Sequence, residues 1–135
     1  MAIQLGDTLR NNMINQYEST IGTSPSLTLF TGAQPANCAA ADTGTSLVVI
    51  PLPADWMTNA PVSGVGTIAK TGTWPATNGA ATGVAGYYRI KTSGAVVSEQ
   101  GSVGVGAGDL QVDQATVTVG QPVTITAWTR TQSGA

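Results

Sequence analysis

Histidine is absent from the 135 residues, cysteine occurs once, and charged side chains number only 12, five basic and seven acidic. Without histidine there is no Ser-His-Asp triad and no Cys-His dyad, and the commonest zinc ligand and general base is missing. A single cysteine, Cys38, closes no intrachain disulfide, so the fold is expected to stand without an oxidising compartment. Cys38 sits among small residues with no imidazole to activate its thiol, and it reads as an inert loop residue. No window approaches the roughly 18 uninterrupted apolar residues of a membrane span. Residues 1–7 lack the basic region and apolar core of a secretory signal. These absences lead us to expect a chain made and folded in the cytoplasm, with no catalysis, cofactor, metal or membrane contact.

The five cations are Arg10, Lys70, Arg89, Lys91 and Arg130, and the net charge is −2. They form no run or stripe, so the electrostatic footprint of a nucleic-acid binder is missing as well. Arg89 and Lys91 lie two apart and read as one solvated face of a strand. Charged residues make up 9% of the chain, against about 25% in an ordinary globular protein. Such a chain must clothe itself in threonine, serine, glycine and alanine. That surface loses little hydration when it packs against a neighbour, which favours life in a symmetric assembly.

Alanine, glycine and threonine supply 55 of the 135 positions. Valine, isoleucine and threonine supply 40, and these β-branched residues suit pleated, half-buried surfaces. One helix is expected near the start. Asp7 is placed as its N-cap, Leu9, Met13, Tyr17 and Ile21 recur every four residues beside Ile14, and Gly22 and Pro25 stop it. Its other face carries Arg10, Asn11, Asn15 and Glu18. Strands are expected over residues 26–31, 45–52, 66–74, 85–91, 95–105, 110–112, 115–119 and 122–130. The last two flank Gly120-Gln121 as a hairpin, with Pro122 at a strand start. Leu47-Val48-Val49-Ile50 reads as a strand covered on both faces. In the last strand, Val123, Ile125 and Ala127 are placed inside, so Trp128 is expected to face outward. The fold class that results is mainly β: an antiparallel β-sandwich or jelly roll with one short N-terminal helix. Residues 1–24 form an arm and helix, and residues 25–135 a single β domain.

The glycine cluster of residues 101–108 resembles a phosphate loop at first sight. A dinucleotide fingerprint needs Gly-x-Gly-x-x-Gly opening a helix; here Asp109 follows and a strand comes next, so a bulge or tight turn is expected. Asp42, Asp55, Asp109 and Asp113 lack calcium-loop spacing and read as turn and cap residues. Two long connections, residues 32–44 and 53–65, suggest segments that are functional or docked.

At Leu29-Phe30-Thr31-Gly32-Ala33-Gln34-Pro35-Ala36 the chain resembles a family of small tailed-bacteriophage virion proteins. The likeness continues through Gly83-Val84-Ala85-Gly86-Tyr87-Tyr88-Arg89-Ile90-Lys91, Gly101-Ser102-Val103-Gly104 and Asp109-Leu110. It ends in Val119-Gly120-Gln121-Pro122-Val123-Thr124-Ile125-Thr126, and together these stretches cover most of residues 26–130. The part most similar is a jelly-roll capsid cement, or decoration, protein. That resemblance implies a non-catalytic chain bound to the outer surface of an icosahedral head, bridging subunits of the major capsid protein and paired with itself as a homodimer or homotrimer. Ile3, Leu5, Leu9, Met13 and Tyr17 are the expected docking residues, because a small sandwich does not fully cover such an apolar arm and stripe. Trp56 and Trp128 are expected at an interface as well. Two alternatives stand beside this: a tail, collar or head-fibre component, and a carbohydrate-binding jelly roll using Trp56 or Trp74 as a stacking platform.

Overall fold

The computed structural model describes residues 3–61 and 65–134. The chain starts with helix α1 (Asp7–Ile21), followed by β1 (Ser26–Thr31), β2 (Ser46–Pro51), β3 (Thr67–Ala69), β4 (Thr77–Asn78) and β5 (Gly83–Lys91). Then come β6 (Val97–Gly104), β7 (Leu110–Val112), β8 (Thr116–Val117), β9 (Pro122–Val123) and β10 (Ile125–Thr131). The fold is mainly β with one N-terminal helix. A curled sheet of the sandwich or jelly-roll kind runs in the order β2-β1-β5-β6-β7-β10-β3; β8 also pairs with β5, and β4 and β9 form a separate ribbon.

Most neighbours run antiparallel, but β6 and β7 run parallel, with Val103 opposite Leu110 and Gly104 opposite Gln111. The glycine cluster makes that tight parallel return. Gly106 and Gly108 lie in the left-handed region, which lets successive strands pair side by side without a helix between them.

The chain from β8 to β9 does turn at Gly120, where Gln121 N–H donates to the Thr118 carbonyl at 3.0 Å. The expected hairpin ladder does not form, however. β8 pairs with β5 and β9 with β4, while the turn is clamped by Gly79, which exchanges backbone bonds with Gly120 and Gln121. β2 also departs from expectation: Leu47, Val48 and Ile50 are buried, yet Val49 is half exposed.

The interior is organised around three tryptophans. Trp56 and Trp128 lie 5.3 Å apart between ring centroids, Trp74 and Trp128 5.9 Å. Each indole N–H is satisfied: Trp56 donates to the Gly22 carbonyl, Trp74 to the Trp56 carbonyl, and Trp128 to Glu99. Trp56 and Trp128 are 0% and 1% exposed, which corrects their expected place at an interface. The reason for Trp128 is local. The β10–β7 register slips between Ile125 and Ala127, and a one-residue slip reverses every later side chain. Trp128 therefore points inward with Val123 and Ile125, and strict alternation fails.

Helix α1 is rotated relative to the expected placement. Its first cap is Gly6, with no side-chain cap bond, and Asp7 is the first helical residue. Buried on it are Arg10, Ile14 and Ile21; Leu9 and Met13 face solvent at 50% and 41% exposure. The inner line 10, 11, 14, 15 sits one residue, roughly 100° of turn, from the 9, 13, 17 stripe. Backbone groups beneath the helix explain the choice. The Asn11 Oδ1 accepts from Gly66 N–H at 2.7 Å, and the Asn15 Oδ1 from Ala60 N–H at 2.6 Å. Arg10 Nε donates to the Gln132 carbonyl at 3.1 Å. Covered peptide groups in the connection before β3 and just after β10 must find partners, and the helix's amides and guanidinium supply them. Ile14 and Ile21 belong to the same core cluster as the sheet, so helix and sheet form one packed unit.

Candidate functional site

Three polar or apolar constellations stand out, and each is built on regular elements. The first is buried where β5, β6 and β10 approach one another. The Glu99 carboxylate accepts from Tyr88 Oη, from Trp128 Nε1 at 3.1 Å, and from the Arg130 guanidinium. Arg130 also donates to the Asp109 carbonyl at 2.9 Å. Asp109 closes the neighbouring turn by accepting from the backbone N–H and hydroxyl of Ser102, and the backbone bond holds its carboxyl below the usual range. Burial pushes the Tyr88 phenol up, and the Glu99 charge adds to it. Tyr17, reaching down from α1, is pushed up to about 12 by burial first and by Glu99 second. Burial alone lowers the Arg130 value, but the bond and charge of Glu99 outweigh it and leave it raised. The donors and the acceptor satisfy one another, and on the outer side Arg130 and Trp128 border an open cleft of about 180 Å³ with Asp109, Gln111 and Thr129.

The second constellation holds the long connection of residues 32–44 against the outer face of the sheet. Thr28, Arg89 and Gln100 share one row across β1, β5 and β6. Arg89 donates to Asp42 and to the Ala40 carbonyl, both at 2.8 Å, to the Asn37 carbonyl at 3.2 Å, and to Gln100 at 2.9 Å. Its side chain is 1% exposed. This corrects the expectation of a solvated face: the guanidinium is paired and covered. Lys91 reaches the same Asp42 at 2.6 Å. The Lys91 bond, ahead of the Arg89 one, holds the Asp42 carboxyl below its ordinary value.

That shift carries a pH dependence. A carboxyl whose folded value is depressed adds stability above its ordinary value and loses it as pH falls through the folded one. At pH 7, Asp42→Asn is expected to cost about 0.5–1 kcal/mol, a figure kept small by solvent screening of a partly exposed pair. That corresponds to roughly 2–3 °C in melting temperature for a chain of this size. The gap between variant and parent should close below the ordinary carboxylate range near pH 4. Thermal melts of both proteins from pH 7 to 2.5 check this; a gap that stays constant with pH would remove the charge from the latch.

The third constellation is the outward side of α1. Leu9 and Met13 stand exposed on one line, with Ile3 at 86% exposure in the arm before them. Beside Met13 an open groove of about 310 Å³ runs between Gln16, Tyr17, Thr20 and Ile21 of the helix and Ser98 of β6. No charged side chain lines it. Of the expected docking residues, Leu9, Met13 and Tyr17 lie along this face, Tyr17 half-buried and edge-on to Trp128 at 6.0 Å. Leu5 is half-buried, its N–H bonded to the Gly134 carbonyl at 2.7 Å. Trp56 and Trp128 are not on the face but in the core, Trp128 directly beneath Tyr17. Trp74, 4% exposed, and Trp56 offer no ring face to a sugar.

Sequence reasoning missed Arg10, Asn11, Asn15, Arg89 and Glu99 as structural anchors. One signal was available: a helix face of amides at i, i+1, i+4 and i+5 matches neighbouring backbone groups as well as it matches water. Among the described residues, no group of three His, Cys, Asp or Glu side chains is placed to hold a metal ion. Among the same residues, no helix is long and apolar enough to cross a membrane. These features define a mainly-β chain with a hydrogen-bonded interior and two apolar side chains, Leu9 and Met13, presented on the outward side of the helix. Comparison with protein-family models, curated proteins and solved structures finds no match to this chain.

Proposed function

We propose that the chain is a non-catalytic structural subunit that docks through the outward side of α1 onto a repeating protein surface. The surface we assign is the outer face of a phage head, where the chain acts as a decoration protein bridging major capsid subunits. One observation carries the docking reading: with Ile14 and Ile21 packed in the core and Asn11 and Asn15 bonded to the body, the helix still leaves Leu9 and Met13 exposed among polar neighbours, beside an uncharged groove. The virion assignment rests on the resemblance of residues 26–130 to small phage structural proteins.

Size supports a repeating partner. A 15-residue helix is about 22 Å long and about 10 Å across, so its face covers roughly 200–250 Å². A stable pairwise interface needs about 800 Å² on each side. One such patch holds a partner weakly, but copies joined through self-association and arrayed on a shell gain avidity without new contacts. A ligand that binds only the assembled state also stabilises that state by mass action.

The experiment is the copy number of this chain against the major capsid protein in purified virions. The expected result is a ratio near the one set by shell geometry, followed by rebinding of purified protein to heads stripped of it. A ratio of a few copies per particle would move the chain to the tail, collar or fibres. Absence from the particle would overturn the virion reading altogether.

A further inference from the structure

Residues 32–44 leave the sheet after β1 and return to it before β2 as a strap with a tied root. Thr31 N–H donates to the Thr45 carbonyl at 3.0 Å, and Thr45 N–H to the Thr31 hydroxyl at 2.8 Å. One step further out, the Thr43 hydroxyl donates to the Ala33 carbonyl at 3.3 Å, and the Tyr87 hydroxyl holds both backbone groups of Thr43. Gly32 and Gly44 at this root have φ of +83° and +74°, a region glycine enters freely.

Beyond the root, residues 34–42 have no apolar anchor. None of them is buried; Pro35, Cys38 and Ala40 are half-buried and the other six exposed. Among the described residues, five hydrogen bonds fix them to the sheet, and three side chains donate all five. Arg89 gives three, to the Asn37 and Ala40 carbonyls and to Asp42; Lys91 gives one to Asp42, and Gln100 one to the Pro35 carbonyl. On the same side of the sheet Phe30 and Tyr87 are stacked 5.0 Å apart, 4% and 0% exposed. Neither belongs to the core cluster, so they form a separate patch under the strap.

Asp42 is the one carboxylate in residues 32–44. The charged groups facing it are Arg89 and Lys91, both on β5. β1 presents Thr28 and Phe30 and β6 presents Gln100, which carry no charge; Tyr87 and, within the strap, Cys38 are the other titratable groups of the patch. With Asp42 ionised, Arg89 stays paired at 1% exposure. With Asp42 neutral, Arg89 is a covered cation without a counter-charge, a costly state until water reaches it. Lifting residues 34–42 admits that water, and Arg89 keeps its bond to Gln100.

We propose that residues 34–42 are a charge-gated cover: the ionised Asp42 holds them closed, and loss of that charge raises the population of a form in which they lift as a unit about the Gly32–Gly44 root, uncovering Arg89 and the Phe30–Tyr87 pair while the rest of the fold stays intact. The depressed Asp42 carboxyl has the same sense. Closure is favoured above the ordinary carboxylate range and lost as pH falls through the closed-state value, below about 4. The device goes beyond docking through α1 and does not depend on it.

The test compares the natural chain with Asp42→Asn under thermolysin at pH 7 in native conditions, where the rate of cutting follows the population of the open form. Cuts within residues 34–42 are expected in both, roughly two- to five-fold faster in the variant. The nicked chain should stay folded, because β1 and β2 on either side remain paired. Salt at about 1 M should bring the parent's rate toward the variant's and leave the variant's unchanged, with an unstructured peptide correcting for the protease itself. In acid, the Arg89 Nε–H resonance of the natural chain should move between about pH 4 and 2.5, while the Trp56 and Trp74 indole resonances of the core hold. Equal cutting rates in parent and variant would overturn the proposal. So would cuts that appear outside the strap at the same rate, or an Arg89 resonance that moves only together with the indoles.

Discussion

Replacing Glu99 with alanine is expected to lower the unfolding free energy by about 3–5 kcal/mol, the cost of removing one partner from a buried ion pair. Against the roughly 5–15 kcal/mol that holds a domain of this kind together, the variant should sit close to its unfolding limit, about 10 °C or more below the parent in melting temperature. The magnitude follows from what is left behind. Trp128 Nε1 and the Tyr88 hydroxyl lose their acceptor, and Arg130, 17% exposed, keeps the Asp109 and Thr129 carbonyls and the Tyr88 oxygen but no counter-charge. Glu99→Gln keeps an acceptor and drops the charge, so it should fall between alanine and the parent. Replacing Glu99 and Arg130 together with leucine and methionine should recover only the part of the alanine loss that comes from stranding the Arg130 charge, because Trp128 Nε1 and the Tyr88 hydroxyl still lack an acceptor. Urea unfolding of the four proteins checks the series. A Glu99→Ala loss under about 1 kcal/mol would mean that water already reaches the carboxylate.

The same cluster shows how far the sequence could be read. Local signals carried well where one element decided its own structure. Helix α1 ends at Ile21 before Gly22, β1 spans Ser26–Thr31, and β7 spans Leu110–Val112, all as periodicity and breakers suggested. They failed where a partner distant in sequence decided. Glu99 sits in Val97-Ser98-Glu99-Gln100, which reads as a strand with a polar outer side, yet its three donors come from β5 and β10. Trp128 was misplaced by one slipped residue in β10, a defect that depends on the β7 register and leaves no mark in the alternating pattern. Arg89 looks solvated until the strap from residues 32–44 is laid over it. The rotation of α1 has the same origin: Asn11 and Asn15 resemble a wet face unless the unpaired N–H groups of Gly66 and Ala60 are known to lie beneath.

That rotation separates two roles within one helix, and substitutions on its two sides should behave in opposite ways. Leu9→Ser with Met13→Ser touches only the outward line, where about half of each side chain is already in water, so the unfolding free energy should change by less than about 0.5 kcal/mol. Burying the remaining half of both on a partner contributes on the order of 1 kcal/mol each, so their loss should weaken binding to bare heads by roughly 30-fold per site. Avidity multiplies the deficit when several copies act together. Ile14→Ala removes a core side chain, 4% exposed, and should cost about 2–5 kcal/mol of stability. Molecules of that variant that remain folded should bind as the parent does. Cosedimentation with heads and chemical denaturation, run on the same preparations, separate the two readouts. A Leu9→Ser/Met13→Ser protein that is destabilised by more than about 1 kcal/mol would place the stripe in the core. One that is fully stable and still binds would free α1 of docking and turn attention to the exposed valines of the sheet, Val49 and Val84.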